Sequence, residues 1–222
     1  SMRADLGIMI TASHNKFTDN GLKIFDNNGN KLSDEIELEI ERLMDTRLEE
    51  DLIEPEKIGR AKRLDDANGR YIEFLKNTFP SKQRLEGLKV VIDCANGASY
   101  LSAPIVFWEL GAEVIQIGVK PDGLNINKEC GSTDTKLLSQ KVKENNADIG
   151  LALDGDGDRL IICDENGEVI DGDQILGLLA LQMKDKGTLK NDEVVGTLMT
   201  NVGLEKKLGD NSIGLIRAPV GD

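Results

Sequence analysis

Ile149-Gly150-Leu151-Ala152-Leu153 runs straight into Asp154-Gly155-Asp156-Gly157-Asp158-Arg159. The apolar run reads as a buried strand of the kind found in parallel sheets. Three carboxylates then stand at alternate positions on a loop loosened by glycine. Held close together, they repel, and a hard divalent cation relieves that cost by taking their oxygens as ligands. The glycines let the backbone turn tightly enough for the three to converge. A metal site at the carboxyl end of a buried strand is where open α/β sheets place ligands.

Other readings of the loop stand beside this one. An EF-hand calcium loop also carries acids at its first, third and fifth positions, and Glu165 falls at the twelfth. Its sixth position needs glycine, where this chain has Arg159. The segments Leu160–Cys163 and Glu168–Ile170 bracket Asp164-Glu165-Asn166-Gly167, which predicts a hairpin and not an exiting helix. A haloacid-dehalogenase-type phosphatase also follows a buried strand with Asp-x-Asp and would use Asp154 as nucleophile, but it does not require a third Asp. A solvated acidic turn would need only one Asp-Gly pair.

A second stretch, Gly7-Ile8-Met9-Ile10-Thr11-Ala12-Ser13-His14-Asn15, repeats the pattern of apolar strand and small polar loop, and Asn20-Gly21-Leu22-Lys23-Ile24-Phe25 follows it. Adjacent strand residues point to opposite faces, so His14, the only histidine in the chain, is not automatically a base for Ser13. A lone loop histidine is ordinarily a packing or surface residue, and a lone lysine such as Lys23 a solvated charge.

Taken together, the two stretches resemble the α-D-phosphohexomutase family. Its serine motif matches Thr11 to Asn15, its Asn-Gly-x-Lys segment Asn20 to Lys23, and its metal loop Asp154 to Arg159. Arg3-Ala4-Asp5, Gly123-Leu124-Asn125-Ile126-Asn127 and Cys130-Gly131-Ser132-Thr133-Asp134 match the branch acting on glucosamine phosphates better than the phosphomannomutase/phosphoglucomutase branch, which remains the alternative. The resemblance implies an intramolecular phosphotransferase that interconverts sugar 6- and 1-phosphates through a phosphoserine at Ser13 and a sugar 1,6-bisphosphate. It further implies Mg²⁺ on Asp154, Asp156 and Asp158 with a phosphoserine oxygen of Ser13. Lys23 would exchange a proton with the sugar hydroxyl, which calls for a lowered pKa. His14, Asn15, Asn20 and Arg159 would bind substrate or position the loops, Arg159 either touching the transferring phosphate or fixing a carboxylate by a salt bridge.

By the same resemblance, the 222 residues are a fragment. They hold the later part of a first domain (1–65), a second, metal-loop domain (66–170) and an incomplete third (171–222). The expected fold is α/β, with successive units built on mostly parallel mixed sheets, phosphohexomutase-like and truncated. A fourth, phosphate-binding domain is expected beyond Asp222. The fragment alone is expected to fold in part without mutase turnover; a fragment that only binds metal and partner domains is a further alternative.

A net charge of −13 argues against nucleic acid and anionic membranes as partners. It leaves Lys23, Arg159 and a metal to attract an anionic sugar phosphate. Cys94, Cys130 and Cys163 cannot all pair. Cys94 and Cys163 lie in apolar strand runs, so buried free thiols and a cytoplasmic location are expected. The full-length protein could form a homo-oligomer.

Along the chain, Ser33 should cap a helix with Ile36, Ile40, Leu43 and Met44 on one face and a charged run from Glu35 to Glu50 on the other. Residues 51–65, with Pro55 and Gly59, read as a connector. A helix over Ala67–Asn77 is followed by strand Lys89–Asp93, a tight turn at Asn96-Gly97, helix Ser102–Leu110 and strand Glu113–Gly118, a βαβ unit. A helix from Thr135 to Glu144 leads to the metal strand. Helix Ile175–Lys184, strand Glu193–Met199, helix Val202–Leu208 and strand Ile213–Arg217 repeat the theme.

Overall fold

The computed structural model describes residues 4–46 and 52–220. Arg3 of the branch motif, the end of the charged run through Glu50, and Gly221-Asp222 lie outside the described residues.

The first unit is small. Strands β1 (Gly7–Thr11) and β2 (Gly21–Phe25) pair antiparallel, with Met9 opposite Lys23 and Thr11 opposite Gly21. The serine loop therefore sits at one end of a two-stranded ribbon, and Lys23 projects from the strand beside it. The turn after β2 is closed by Asp26, whose Oδ1 accepts from the backbone of Asn28 and of Asn30, each at 2.9 Å. Helix α1 (Asp34–Met44) follows. Ser33 stands at its N-cap, but the hydroxyl makes no capping bond. Most of the expected apolar face is open among the described residues: Ile36, Leu43 and Met44 are all exposed.

The second unit carries the main core. Helices α2 (Ala67–Thr78), α3 (Ser102–Glu109) and α4 (Lys136–Asn145) accompany strands β3 (Lys89–Asp93), β4 (Glu113–Ile117), β5 (Ile149–Leu153), β6 (Leu160–Cys163) and β7 (Val169–Ile170). The sheet order is β4-β3-β5-β6-β7. The first three strands run parallel, and the β6–β7 hairpin adds antiparallel to β5. Alternation along the strands feeds two faces. Val91, Ala152 and Cys163 pack on Leu138 and Val142 of α4, while Val90, Ile92 and Leu151 pack with Ala103 and Phe107 of α3. Both faces are covered, which is why β3 and β5 read as unbroken apolar runs.

This order fixes where a site can form. The chain leaves β3 for β4 on one side, then returns past β3 to lay β5 on the other. The carboxyl ends of β3 and β5 flank that change of direction, the place where open α/β sheets leave a crevice.

In the third unit, α5 (Gly172–Asp185) packs on α6 (Val202–Asp210) beside the parallel pair β8 (Glu193–Thr197) and β9 (Gly214–Ala218). Asp171 and Gln174 form a reciprocal capping box at the start of α5. Asn201 caps α6 through a 2.8 Å bond from the Leu204 backbone.

Two stability predictions follow from the packing. A Cβ at Gly150 would overlap Cys163 Sγ and lie 2.7 Å from Val142 Cγ2. Gly150→Ala should therefore destabilise by about 1–3 kcal/mol in chemical denaturation. Gly69→Ala in α2, with nothing near the added carbon, should be neutral or stabilising by up to about 1 kcal/mol. The three buried thiols should label with iodoacetamide only on unfolding. Burial pushes Cys94 up to about 12 and Cys130 to about 11, leaving less than ~1% thiolate at pH 8.

Candidate functional site

The carboxylate loop lies at the end of β5, at that crevice. Asp154 is fully buried, so the loop is not a solvated turn. Its Oδ1 accepts from the backbone N–H of Gly157 and of Arg159, both at 3.1 Å. Gly157 supplies the left-handed backbone, φ 78°, that bends the loop back. One oxygen from each of Asp154, Asp156 and Asp158 comes within 4.8 Å of the others. The chain leaves into strand β6, not a helix, as the hairpin reading expects and the EF-hand reading does not.

These acids are under electrostatic load. At that spacing the buried pair Asp154 and Asp156 repels by about 3 kcal/mol at an effective dielectric near ~20. Burial, joined by the charges of Asp156 and Asp158, raises the Asp154 pKa. Burial works against the Asp156 carboxylate too, but Lys23 outweighs it and Asp156 lies below its ordinary value. Asp154 Oδ2 and Asp156 Oδ1 are both buried without a hydrogen-bond partner. Unpartnered buried carboxylate oxygens are costly. Two of them beside a third carboxylate form an oxygen-only donor set that fits Mg²⁺.

The serine loop meets this cluster. Ser13 takes φ 51°, and its N–H donates to Thr11 Oγ1 at 2.8 Å. The Asn15 N–H returns to the Ala12 carbonyl at 2.9 Å. His14 Nδ1 lies 3.4 Å from Ser13 Oγ, too long for a strong bond, so the ring flanks the hydroxyl without gripping it. Asn20 closes the short turn that follows the loop, its Nδ2 donating to the Phe17 carbonyl at 2.8 Å. Lys23 crosses from β2 to Asp156 Oδ2 at 2.9 Å. That hydrogen bond raises the Lys23 pKa, and the nearby carboxylates add to it. The lowered pKa expected of a proton-exchanging lysine is thus not what this arrangement gives: with three acids as neighbours, Lys23 is a held cation. Arg159 contributes its backbone to Asp154. Its side chain is exposed and forms no ion pair among the described residues, so the salt-bridge reading is not what the structure displays.

Glycines allow these loops to touch. A Cβ at Gly155 would collide with the Ser13 carbonyl, and it would sit 2.7 Å from Asn127 Nδ2 and 2.8 Å from Ile126 Cδ1. One at Gly97 would collide with the Gly155 backbone, whose carbonyl accepts from Ala98 N–H at 2.8 Å. Asp93, at the end of β3, is fully buried and accepts from the backbone of Ala95 and Gly131 at 2.9 and 2.8 Å. Sequence alone assigns Asp93, Gly97 and Asn127 no role in the site. A turn signal at Asn96-Gly97 was visible, but nothing local said what the turn touches.

Comparison with known proteins agrees with this geometry. Models of the phosphoglucomutase/phosphomannomutase α/β/α domains I, II and III match residues 1–51, 69–167 and 171–222, in chain order. The chain belongs to the phosphoglucomutase/phosphomannomutase family. It is 57% identical over 222 residues to a phosphoglucosamine mutase of Maricaulis maris, covering 100% of this chain and 49% of that protein. It is 58% identical to one of Caulobacter vibrioides, covering 100% of this chain and 50% of that protein. The chain thus spans about half the length of the curated relatives it matches. A solved phosphoglucomutase/phosphomannomutase family protein from Burkholderia thailandensis superposes with TM-score 0.74 at 25% identity, over 99% of this chain and 46% of that one. No helix among the described residues is long and apolar enough to cross a membrane.

The donor set yields a direct test. Saturating Mg²⁺ should raise the melting temperature by roughly 2–5 °C, because a ligand that binds only the folded state stabilises it. The shift should vanish in Asp154→Asn. An equal shift in parent and variant would place the bound cation elsewhere.

Proposed function

We propose that this chain carries the phosphoserine and metal-binding parts of a phosphoglucosamine mutase, which interconverts glucosamine 6-phosphate and glucosamine 1-phosphate. The observation that carries the proposal is the seating of the Ser13 loop directly on Gly155, between two acids of the carboxylate cluster. A serine hydroxyl there serves as a store for the phosphoryl group: its monoester survives in water yet transfers when charge on the moving group is compensated. The identity to proteins named phosphoglucosamine mutase supports the sugar assignment.

In the proposed cycle the Ser13 Oγ–P bond breaks as a bond forms from phosphorus to a hydroxyl oxygen of the sugar phosphate, and the hydroxyl proton ends on the departing Ser13 Oγ, giving a sugar 1,6-bisphosphate and a free serine hydroxyl. The bisphosphate then returns its other phosphoryl group to Ser13, so phosphate is conserved over the cycle. Asp154, Asp156 and Asp158 would hold Mg²⁺, which when bound supplies charge neutralisation on the transferring group. Lys23, kept cationic by Asp156, adds fixed positive charge beside the same oxygens. Such transfers pass through a loose transition state, so positioning and charge do most of the work. Thr11 sets the backbone at Ser13, while His14, Asn15 and Asn20 shape the loop. Arg159, exposed beside the cluster, is available to an incoming phosphate. Gripping the non-transferring phosphate falls to a part of the protein outside this chain, so the 222 residues alone should not turn over.

Incubation of the protein at native length with glucose 1,6-bisphosphate, followed by peptide mapping, tests the reading. An acid-stable phosphate on Ser13 is expected. A labile acyl phosphate on Asp154 would indicate a phosphatase-type nucleophile instead. In a coupled assay, glucosamine 6-phosphate should be favoured over mannose 6-phosphate and glucose 6-phosphate by at least ~10-fold in kcat/KM; the reverse order would overturn the sugar assignment.

A further inference from the structure

We propose that Asn127 is the positioning residue that sets the Ser13 loop on the carboxylate loop, by donating both protons of one amide across the junction between the first two α/β units. Resting on the phosphoserine reading above, the proposal concerns a residue that touches neither the sugar nor the reacting atoms.

Asn127 Nδ2 donates to the Ser13 carbonyl at 2.9 Å and to the Asn15 carbonyl at 2.7 Å. The two residues it bridges flank His14, so both ends of the turn carrying the serine hydroxyl are held by one atom. The same nitrogen lies only 2.7 Å from the position a Cβ on Gly155 would take. One amide thus contacts the serine loop and the metal loop together. Among the described residues these are the only hydrogen bonds that carry residues 12–16 to the second unit; the one other cross-unit bond is Lys23 to Asp156.

The side chain is built for this task. Asn127 is 7% exposed, and its own N–H is anchored to the Ala95 carbonyl at 2.9 Å, in the turn after β3. Its φ of 53° is a backbone state asparagine tolerates better than most residues. A primary amide offers two donors on one neutral atom, which is what two converging carbonyls require. An isosteric carboxylate would offer lone pairs to both and push the loop away. Displacement need not be large to matter: moving a reacting group by ~1 Å can cost ~100-fold in rate.

Asn127→Asp keeps volume and tolerates the same φ, and Asn127→Gly keeps the backbone state while removing the amide. In the protein at native length, both should lower kcat by ~30–100-fold at pH 8 with KM within ~3-fold. Amide exchange should rise in the peptide containing Ser13 and stay unchanged in β3 and β5. The Asn127→Asp deficit relative to parent should shrink as pH falls toward ~5, because the introduced carboxyl, once protonated, regains one donor. The Asn127→Gly deficit should not shrink. A kcat within 3-fold of parent at pH 8 in both variants overturns the proposal, and so does a deficit in Asn127→Asp that is the same at every pH. If the parent itself takes no phosphate on Ser13, the mutase reading fails. The exchange measurement still decides the clamp, since unchanged exchange around Ser13 in both variants overturns it.

Discussion

Repulsion among three carboxylates at the end of one buried strand is the constraint that organises this molecule. Asp154 is fully buried, and it and Asp156 each keep one oxygen without a partner. A sequence gains nothing in stability from that arrangement. The nearby structure reads as compensation: backbone N–H groups aimed at Asp154, a lysine from another unit on Asp156, and a donor set that a divalent cation would complete. A costly electrostatic feature of this kind in a crevice is the mark of a functional site.

The second feature is closeness. The loops that follow β1, β3 and β5 meet around Gly155, together with the side chains of Ile126 and Asn127, and leave no room for a side chain there. Glycine there shortens the distance between a serine backbone and a carboxylate cluster that belong to different α/β units. The core of the second unit, packed on both faces of β3 and β5, presents the crevice. The first unit, a two-stranded ribbon with a largely open helix, supplies the serine and is held by three cross-unit hydrogen bonds.

Much of this was legible in the sequence, for physical reasons. Strands β3 and β5 were readable to the residue because buried strands leave apolar runs that end abruptly at polar loops; β1 was readable from the same kind of run, although its Ile8 and Ile10 are exposed. Helix ends moved by one to three residues, as helix termini do. The three acids were readable as a cluster because they stand at alternate positions on a glycine-loosened loop directly after a buried strand. The antiparallel pairing of β1 with β2 was less visible, since an apolar run does not encode its partner. Lys23 illustrates the limit: a family role suggested a lowered pKa, but the partner that raises it, Asp156, lies 133 residues away. Asn127 was quoted only as part of a motif, because a bridging amide has no local signature.

A phosphoserine at Ser13 is proposed to share one cation with the carboxylate cluster across two units. Phosphorus NMR of the protein phosphorylated on Ser13, titrated with Mn²⁺, tests it most directly. A paramagnetic ion within bonding distance should broaden the phosphoserine resonance beyond detection at substoichiometric metal, and Asp154→Asn should restore a sharp line at the same metal concentration. A phosphoserine resonance that stays sharp in the parent with Mn²⁺ bound to the cluster would contradict the account.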